Sequence, residues 1–361
     1  MLNCSTTAVL IEPRALKTAT VAMQSVERHT PNTTCFIWYH SVQNTQFVRA
    51  LQIVQNLQRL GRVTLRIIPR RALDMASLYL GDERHVEQVM FMSMSFWNDM
   101  PTEVVLNFEA DSILCTQLNP QSTLANFAQI GAPWPATKCV ETRDLWKYMS
   151  EDYPSIFRCP WDGRVGNSGL SIRKRSWMLK AISACPSPYA GTEGSKRHTI
   201  CRFRPENPWK QYTEEDVYFA AVLHALKAPL PSVHEASRFS WEFCDAILPA
   251  ETPGGAKWST SDLAFAPLKP VGFHGLDKAN LKVSTRAGVE CGARAKDFEG
   301  KCPGITQVFG KMDWCFTTGG QRSVITLNQV SQKYEKINVP PGWSVGSSRF
   351  NKRVWLEAAP V

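Results

Sequence analysis

The stretch that decides the fold is Val104-Val-Leu-Asn-Phe-Glu-Ala-Asp-Ser-Ile-Leu-Cys115, an apolar run that changes abruptly to two carboxylates separated by one residue. A run of Val, Leu and Phe is typical of a strand that is covered on both faces, as in the centre of an α/β sheet. Ligands of such sheets bind outside the carboxyl ends of the strands, so Glu109 and Asp111 stand where a ligand is expected. Two hard oxygen donors there suit Mg²⁺ or Mn²⁺, but solvated acids that merely end a strand would give the same pattern.

Strands and helices alternate through the first half of the chain. The residues rich in β-branched, aromatic or other apolar side chains predict strands at 7–12, 34–39 and 63–68. Apolar residues at helical spacing predict helices at 17–29, 47–60 and 85–97, with further helices at 171–183 and 213–226. This order predicts an α/β fold with a mostly parallel sheet and helices on both faces.

The composition is typical of a globular protein, and the net charge favours an anionic partner. Of the 361 residues, 43% are hydrophobic and 20% are charged, which excludes a disordered chain, and the net charge is +9. The densest basic clusters, Arg70-Arg71 and Arg173-Lys-Arg175, are too short for a nucleic-acid-binding stripe, and we expect them to be solvated. We therefore expect no nucleic-acid partner.

Cysteine usage leaves the redox compartment open. The eleven cysteines form no CxxC pair and no Cys/His zinc spacing. Cys35 and Cys115 stand inside apolar runs, so we expect them to be buried free thiols. Cys291, Cys302 and Cys315 follow in a Gly-rich tail and are better candidates for disulfides.

The sequence shows no targeting or membrane segment. It contains no signal-peptide hydrophobic region and no apolar run near the roughly 18 residues of a membrane helix. We expect a soluble chain without a membrane span, in the cytoplasm, or in the Golgi and secretory lumen if a precursor anchor was removed. Asn3-Cys-Ser5 and Asn32-Thr-Thr34 match the glycosylation sequon, a pattern that also arises by chance.

Three further segments carry polar groups of interest. Gly166-Asn-Ser-Gly169 joins two polar residues to glycines that permit close approach of the backbone or a positive φ, although a plain turn uses the same residues. Glu214-Glu-Asp216 begins a predicted helix, where acids are stabilising, but clustered carboxylates also raise one another's pKa, as suits a general base. His274 is expected on an exposed loop, where its imidazole could complete a metal shell or simply face water.

Taken in order, these segments resemble a known family. The motifs that carry the resemblance are Val9-Leu-Ile-Glu-Pro-Arg14, Phe96-Trp97, Asn107-Phe-Glu-Ala-Asp-Ser-Ile-Leu-Cys115, Ile130-Gly-Ala-Pro-Trp134, Gly166-Asn-Ser-Gly-Leu-Ser-Ile-Arg173, Glu215-Asp-Val217 and Gly272-Phe-His274. Over roughly residues 7–280 the chain resembles the DUF5672 family, a glycosyltransferase-like group. The resemblance implies the GT-A nucleotide-diphospho-sugar transferase fold. We expect a GT-A-like domain at residues 1–284 and a small C-terminal unit of unknown role at residues 285–361.

The resemblance also implies a metal site and a nucleotide site. Asp111 would be the metal-binding acid of a DxD-like motif that joins Mn²⁺ or Mg²⁺ to the donor diphosphate, and His274 would be a second metal or diphosphate ligand. Glu109 stands at the first position of that motif in place of Asp, and its longer side chain would reach the donor ribose or not act at all. Glu12 and Arg14 would face the nucleotide.

By the same resemblance, two further groups of residues would handle the sugar and the acceptor. Asn167, Ser168 and Gly169 would shape the sugar pocket. Glu215 or Asp216 would be the base that deprotonates the acceptor hydroxyl if the reaction inverts the anomeric centre.

The function expected from these residues is a metal-dependent glycosyltransferase. Its partners would be a nucleotide-sugar donor and a glycan, protein or small-molecule acceptor. One alternative is a catalytically inactive protein of the same fold that binds a carbohydrate or nucleotide sugar, which Glu109 in place of Asp favours. Another is a nucleotidyltransferase, which also uses paired carboxylates and Mg²⁺ but does not account for the later motifs.

Overall fold

The computed structural model describes residues 4–80, 82–133, 165–185, 215–241, 270–274 and 302, together with four C-terminal strands. The described strands are β1 (Thr6–Ile11), β2 (Thr34–His40), β3 (Val63–Ile67), β4 (Val104–Phe108), β5 (Ser112–Leu114), β6 (Gln129–Pro133), β7 (Val165–Lys174), β8 (Ser240–Trp241), β9 (Gly272–His274), β10 (Ser323–Asn328), β11 (Lys333–Asn338), β12 (Trp343–Ser347) and β13 (Val354–Ala358). The described α-helices are α1 (Lys17–His29), α2 (Thr45–Ala50), α3 (Gln52–Arg59), α4 (Arg70–Leu80), α5 (Val86–Phe91), α6 (Met94–Asn98), α7 (Pro120–Thr123), α8 (Arg175–Ala184), α9 (Glu215–Ala225) and α10 (Val233–Phe239).

A six-stranded sheet in the order β3-β2-β1-β4-β7-β6 forms the centre of the described part. The first four strands in that order are parallel, β7 runs antiparallel to β4, and β6 runs antiparallel to β7. The predicted α/β fold with a mostly parallel sheet is therefore confirmed.

Both faces of the sheet are covered, as the unbroken apolar strands predict. Along β1, Ala8 and Leu10 belong to one hydrophobic cluster, whereas Val9 and Ile11 belong to another. Successive strand residues point to opposite faces, so the two clusters lie on opposite sides of the sheet. Residues of α1 and α3 pack in the first cluster, and residues of α5, α6, α8 and α9 pack in the second.

Helix boundaries differ from the sequence predictions where the backbone breaks inside an apolar repeat. The predicted helix at 47–60 is two helices, because Leu51 has extended φ and ψ of −68° and 127°. The predicted helix at 85–97 is likewise interrupted, since Ser93 is extended. The helix predicted from residue 171 begins only at Arg175, because residues 171–174 pair with β4. The α4 helix was not predicted.

A second sheet, in the order β5-β9-β8, lies directly beyond β4. Its β5 strand follows the carboxylates after β4 and pairs antiparallel with β9, which places Ser112 opposite His274. The β8 strand pairs parallel with β9. This short sheet joins two segments that are far apart in sequence.

The expectation of free thiols at two cysteines is wrong. Cys35 forms a disulfide with Cys4, and Cys115 forms one with Cys302. Cys185 is also disulfide-bonded. An apolar neighbourhood suits a buried half-cystine as well as a buried thiol, so the local sequence could not distinguish them. The expectation of a disulfide at Cys302 is confirmed, whereas Cys291 and Cys315 lie outside the described residues.

Two antiparallel pairs, β10 with β11 and β12 with β13, are described near the C-terminus. The division into residues 1–284 and 285–361 stays a prediction. Among the described residues, no helix is long and apolar enough to cross a membrane.

Candidate metal and substrate site

The carboxylates that follow β4 meet a histidine from a distant part of the chain. Nε2 of His274 lies 3.3 Å from Oε2 of Glu109, 165 residues away in sequence, and 3.4 Å from Oδ1 of Asp111. One ligand atom from each residue lies within 4.8 Å of the others. The pairing of β5 with β9 produces this meeting. We call Glu109, Asp111 and His274 the acid–histidine cluster.

His274 is buried, so the expectation that it lies on an exposed loop is wrong. It belongs to strand β9, and its side chain is 4% exposed, whereas the side chains of Glu109 and Asp111 are each 30% exposed. The cluster therefore has a protein side, formed by the imidazole, and a solvent side, formed by the carboxylates. A ligand would approach from the carboxylate side.

Gly169 makes room for the imidazole. A Cβ at this position would lie 1.9 Å from Nε2 of His274, far inside van der Waals contact. The carbonyl oxygen of Gly169 also accepts a hydrogen bond of 2.8 Å from the backbone N–H of Glu109. The close approach that the glycines predicted is therefore present, but the group that approaches Gly169 is the cluster histidine. Gly166 supplies the positive φ, at 119°.

The charge around His274 favours its protonated form. Burial alone would lower the pKa of the imidazole, but Asp111 and Glu109 outweigh it and raise the pKa well above its ordinary value. Nδ1 of His274 is buried and has no hydrogen-bond partner among the described residues. The two carboxylates therefore favour the imidazolium form of the ring.

The cluster fits a divalent cation. It combines two carboxylate oxygens with one imidazole nitrogen, a donor set that suits Mn²⁺ and also accommodates Mg²⁺. The three donor atoms already lie within 4.8 Å of one another before any ion is present. Two carboxylates against one histidine leave net negative charge for a cation to neutralise once the imidazole has lost its proton.

Glu12 and Arg14 form a rigid pair at the carboxyl end of β1. Oε1 of Glu12 accepts hydrogen bonds of 2.8 Å from the backbone N–H and from Nε of Arg14, and Oε2 accepts one of 2.8 Å from Nη2. The Glu12 side chain is buried, whereas the Arg14 side chain is 46% exposed. The hydrogen bond that the Arg14 side chain donates to Glu12 raises the pKa of Arg14, and the charges of Glu12, Glu87 and Asp111 add to this effect. Arg14 is the member of the pair that can reach a ligand.

Glu215 is held by a fully buried arginine. Nη2 of Arg173 donates a hydrogen bond of 3.0 Å to Oε1 of Glu215, and its guanidinium lies 5.0 Å and 5.3 Å from the ring centres of Phe91 and Phe219. Burial raises the pKa of Glu215, while Arg173 and a hydrogen bond from Ser168 oppose that rise. The expectation that Arg173 is solvated is wrong, because its side chain is 0% exposed.

Asp216 lies beside the polar stretch at the start of β7. Nδ2 of Asn167 donates a long hydrogen bond of 3.5 Å to Oδ2 of Asp216, and Oδ1 of Asn167 accepts one of 3.1 Å from the N–H of Gly169. Asp216 is thus linked through Asn167 to the glycine that contacts His274. The structure joins the helix start, the β7 stretch and the cluster in one polar region.

Glu87 is a member of this region that the sequence analysis missed. It lies in the first turn of α5 and is partly buried. Removal from water and the nearby carboxylates of Glu109, Glu215 and Glu12 raise its pKa well above the ordinary value. A lone carboxylate in a mostly apolar helix, Val86-Glu-Gln-Val-Met-Phe91, was the available signal.

The predicted site residues meet at one edge of the main sheet. Arg14 and Asp111 follow the carboxyl ends of β1 and β4. Because β7 is antiparallel to β4, its residues 167–169 continue past the same edge. Asp216 lies in the first turn of α9, which packs against β7. The structure therefore brings together side chains that the sequence places in separate segments, but it does not test their roles.

Comparison with a protein family gives a match over just over half of the chain. The model of the DUF5672 family, described as a protein of unknown function, matches residues 72–255. The matched range contains the carboxylates after β4, the polar stretch of β7 and the start of α9. It excludes Arg14 and His274. No curated protein matches the chain.

Two solved structures show a distant likeness to this chain. The apo form of mouse xyloside xylosyltransferase 1 is 12% identical, with a TM-score of 0.42, and the match covers 76% of this chain and 99% of that one. The apo structure of the bifunctional glycosyltransferase WbbM is 8% identical, with a TM-score of 0.46, over 86% of this chain and 52% of that one. The chain therefore spans about half the length of WbbM. Both likenesses are too remote to carry an argument about activity.

Proposed function

The chain belongs to the DUF5672 family, and we propose that it is a metal-dependent glycosyltransferase that moves a sugar from a nucleoside-diphosphate donor to an acceptor hydroxyl. The observation that carries the proposal is the acid–histidine cluster at the carboxyl end of β4. Its carboxylates open towards solvent at the edge of a parallel sheet where ligands bind. Near it lie the guanidinium of Arg14, which Glu12 holds in place, and the buried carboxylate of Asp216. Transfer of a sugar from a diphosphate requires groups of both kinds.

Asp111, Glu109 and His274 are the residues that would hold Mn²⁺ or Mg²⁺. A bound divalent cation would offset the negative charge that develops on the leaving diphosphate. His274 would have to lose the proton on Nε2 before that atom could be a ligand, so binding of the cation would release this proton while the imidazole stays in the cluster. Gly169 keeps the imidazole in reach of both carboxylates.

Arg14 is the residue that we assign to the nucleoside diphosphate. Both carboxylate oxygens of Glu12 accept hydrogen bonds from Arg14, so Glu12 fixes the guanidinium instead of contacting the donor itself. A preorganised guanidinium loses little freedom when it binds an anion, and the N–H groups that Glu12 does not engage can donate to phosphate oxygens. This assignment gives Glu12 and Arg14 different roles, whereas the sequence analysis expected both to face the nucleotide.

Asp216 is the acid that we assign to the acceptor hydroxyl. Of the two acids at the start of α9, Glu215 is engaged by Arg173, which fixes it away from proton transfer. Asp216 accepts a hydrogen bond of 3.5 Å from Nδ2 of Asn167, so its carboxylate lies beside the polar stretch of β7, where an acceptor hydroxyl would meet the proposed sugar pocket. In an inverting reaction, Asp216 would take the hydroxyl proton as the oxygen attacks the sugar.

Ser168, Gly169 and Glu87 complete the proposed sugar pocket. Ser168 is engaged with Glu215, and the absence of a Cβ at Gly169 leaves room beside His274. Glu87 has a raised pKa and so can donate a hydrogen bond to a sugar or ribose oxygen when it is protonated. The electrostatic effect of Glu109, Glu215 and Glu12 on its carboxyl group supports a position near the proposed pocket.

A thermal-shift experiment with matched variants tests the proposal. We expect Mn²⁺ together with a nucleoside diphosphate to raise the melting temperature, since a ligand at about 100 times its Kd stabilises a protein by about 2.7 kcal/mol. Asp111→Ala should abolish the rise. Asp74→Ala is the matched control, because Asp74 is an exposed carboxylate on α4 that pairs with Arg70.

Turnover is measured separately by incubating nucleotide sugars with Mn²⁺ and assaying the products. Release of nucleoside diphosphate and free sugar supports the transferase. Binding without any release would indicate the inactive carbohydrate-binding protein, and release of pyrophosphate would indicate a nucleotidyltransferase. The absence of any stabilisation by millimolar nucleotide sugars or diphosphates would contradict the proposal.

A further inference from the structure

We propose that Asn32 carries an N-linked oligosaccharide. Asn32-Thr33-Thr34 is a sequon, and the structure places Asn32 in the turn that precedes β2. A sequon match by itself is a weak signal. Three observations at this turn strengthen it: the exposure of Asn32, the surroundings of the Thr34 hydroxyl, and a disulfide at the next residue.

The Asn32 side chain is free to carry a large substituent. Asn32 and Thr33 are both exposed, and the Asn32 amide makes no hydrogen bond among the described residues. The turn is nevertheless well fixed, because Oγ of Ser5 donates a hydrogen bond of 2.8 Å to Oγ1 of Thr33, and the N–H of Thr34 donates one of 2.8 Å to the carbonyl of Pro31. A glycan on Asn32 would displace no hydrogen bond that the described residues make.

The hydroxyl of Thr34 has no role within the described fold. Thr34 is 0% exposed, and its Oγ1 has no hydrogen-bond partner among the residues that the structure describes. A buried hydroxyl without a partner is destabilising, and Val would fill the same β-branched volume without that cost. The hydroxyl is, however, the group that a sequon requires at its third position. Glycosylation before folding therefore explains a residue that packing does not.

The disulfides indicate that the chain folds in the compartment where N-linked glycosylation takes place. Cys35, the residue after the sequon, is joined to Cys4, and Cys115 is joined to Cys302. Disulfides of this structural kind form in oxidising compartments, such as the lumen of the endoplasmic reticulum, and are rare in the cytosol. N-linked glycosylation takes place in the same lumen. The two modifications at one turn thus point to the same place of folding.

The modification itself is a balanced group transfer. The amide nitrogen of Asn32 forms a bond to C1 of the first sugar of a lipid-diphosphate oligosaccharide. The bond between C1 and the phosphate oxygen breaks, the lipid diphosphate leaves with the electron pair, and the amide loses one proton. The modifying enzyme and the lipid donor belong to the host cell, so the step needs nothing from the acid–histidine cluster.

The glycan would stand at the opposite edge of the sheet from that cluster. Asn32 precedes the amino end of β2, whereas the carboxylates follow the carboxyl end of β4, and both strands are parallel to β1. A glycan there would leave the candidate site open. The proposal is therefore independent of the proposed function, and either can fail alone.

Peptide mapping of the protein isolated from the cells that make it tests the proposal. An N-glycosidase treatment in heavy-oxygen water converts glycosylated Asn to labelled Asp, so the peptide that contains residue 32 should carry the label. An unlabelled, intact Asn32 in the folded native protein would overturn the proposal.

Variants of the full chain expressed through a eukaryotic secretory pathway separate the two sequons and the role of the hydroxyl. In an Asn3→Gln background, Asn32→Gln and Thr34→Val should each abolish the loss of mass on N-glycosidase treatment, whereas Thr34→Ser should retain it. Since Oγ1 of Thr34 has no partner, Thr34→Val should melt no lower than the enzymatically deglycosylated parent. Retention of the glycan in Thr34→Val would contradict the proposal.

Discussion

Gly169 and His274 are in such close contact that a single methyl group on Gly169 would lie 1.9 Å from Nε2 of the imidazole. The two residues come from different sheets, β7 of the main sheet and β9 of the small one. The contact sets the position of His274 against Glu109 and Asp111. The absence of a side chain at residue 169 is thus a condition for the acid–histidine cluster.

Gly169→Ala should displace the imidazole and weaken cation binding. Overpacking of a close contact costs roughly 1–3 kcal/mol, so the variant should fold with a lowered melting temperature. The Mn²⁺-dependent rise in melting temperature should shrink or vanish, because Nε2 no longer faces both carboxylates. Gly61→Ala serves as the control for a glycine outside the cluster, with a φ of 66°. A variant at 169 that keeps the full Mn²⁺ response would contradict this reading.

Stability and cation binding should depend on pH in opposite directions through His274. Its folded pKa is raised, so the ion pairs with Asp111 and Glu109 contribute their full stability below the ordinary pKa of 6.5 and lose it as pH rises through the raised value. Without cation, the difference in melting temperature between the parent and His274→Gln should be largest at acidic pH and fall above pH 6.5.

Cation affinity should rise over the same range, because Nε2 has to lose its proton to become a ligand. Titration with Mn²⁺ at several pH values measures this dependence. His274→Gln should bind weakly and with little dependence on pH. A parent protein whose Mn²⁺ affinity falls as the pH increases would be inconsistent with His274 as a ligand.

Removal of one partner of the Arg173–Glu215 pair should lower the free energy of unfolding strongly, whereas replacement of both partners by apolar residues should lower it little. Removal of one partner leaves a buried charge without compensation, so Arg173→Met should destabilise the fold by about 3–5 kcal/mol. The double variant Arg173→Met/Glu215→Leu should recover most of that loss, because both charges are gone. Chemical denaturation of the parent, of Arg173→Met, of Glu215→Leu and of the double variant measures the coupling. A loss in the double variant equal to the sum of the two single losses would show that the pair is not coupled.

Glu12→Gln should weaken nucleotide binding through Arg14. The neutral amide that this substitution introduces would hold the Arg14 guanidinium less firmly than the carboxylate does. We therefore expect the Kd for a nucleoside diphosphate to rise about tenfold, which corresponds to about 1.4 kcal/mol. Binding of Mn²⁺ alone should not change. A double-mutant cycle with Arg14→Ala distinguishes positioning from contact. If Glu12 acts through Arg14, Glu12→Gln has no further effect in the Arg14→Ala background, whereas additive losses would indicate that Glu12 touches the ligand.

Much of the fold could be predicted because local patterns coincide with the structure. The unbroken apolar strands require cover on both faces, and Ala8, Val9, Leu10 and Ile11 indeed divide between two opposite clusters. The helix at Lys17–His29 matches its prediction in both boundaries. Predictions failed where a break does not interrupt the apolar repeat, as at Leu51, or where pairing with a neighbouring strand decides, as at residues 171–174.

The candidate site could be predicted only in its separate parts. Asp111 follows a buried strand, and that order alone places it at a ligand-binding edge. Nothing near His274 indicates burial, because its environment comes from β5, 160 or so positions earlier in the chain. Glu87 gave only a weak signal, and Arg173 looked like part of a charged surface until Phe91 and Phe219 enclosed it.

The sequence by itself determined the alternation of strands and helices, the carboxylates after β4 and the glycines of β7, because each depends on residues that are neighbours in the chain. The tertiary structure alone decided which charged groups meet in the candidate site. It engaged Glu215 with Arg173 and Glu12 with Arg14, and it joined His274 to Asp111. The reason is physical: the protonation and availability of a buried group are set by the charges and burial around it, and these come from segments that meet only in the fold.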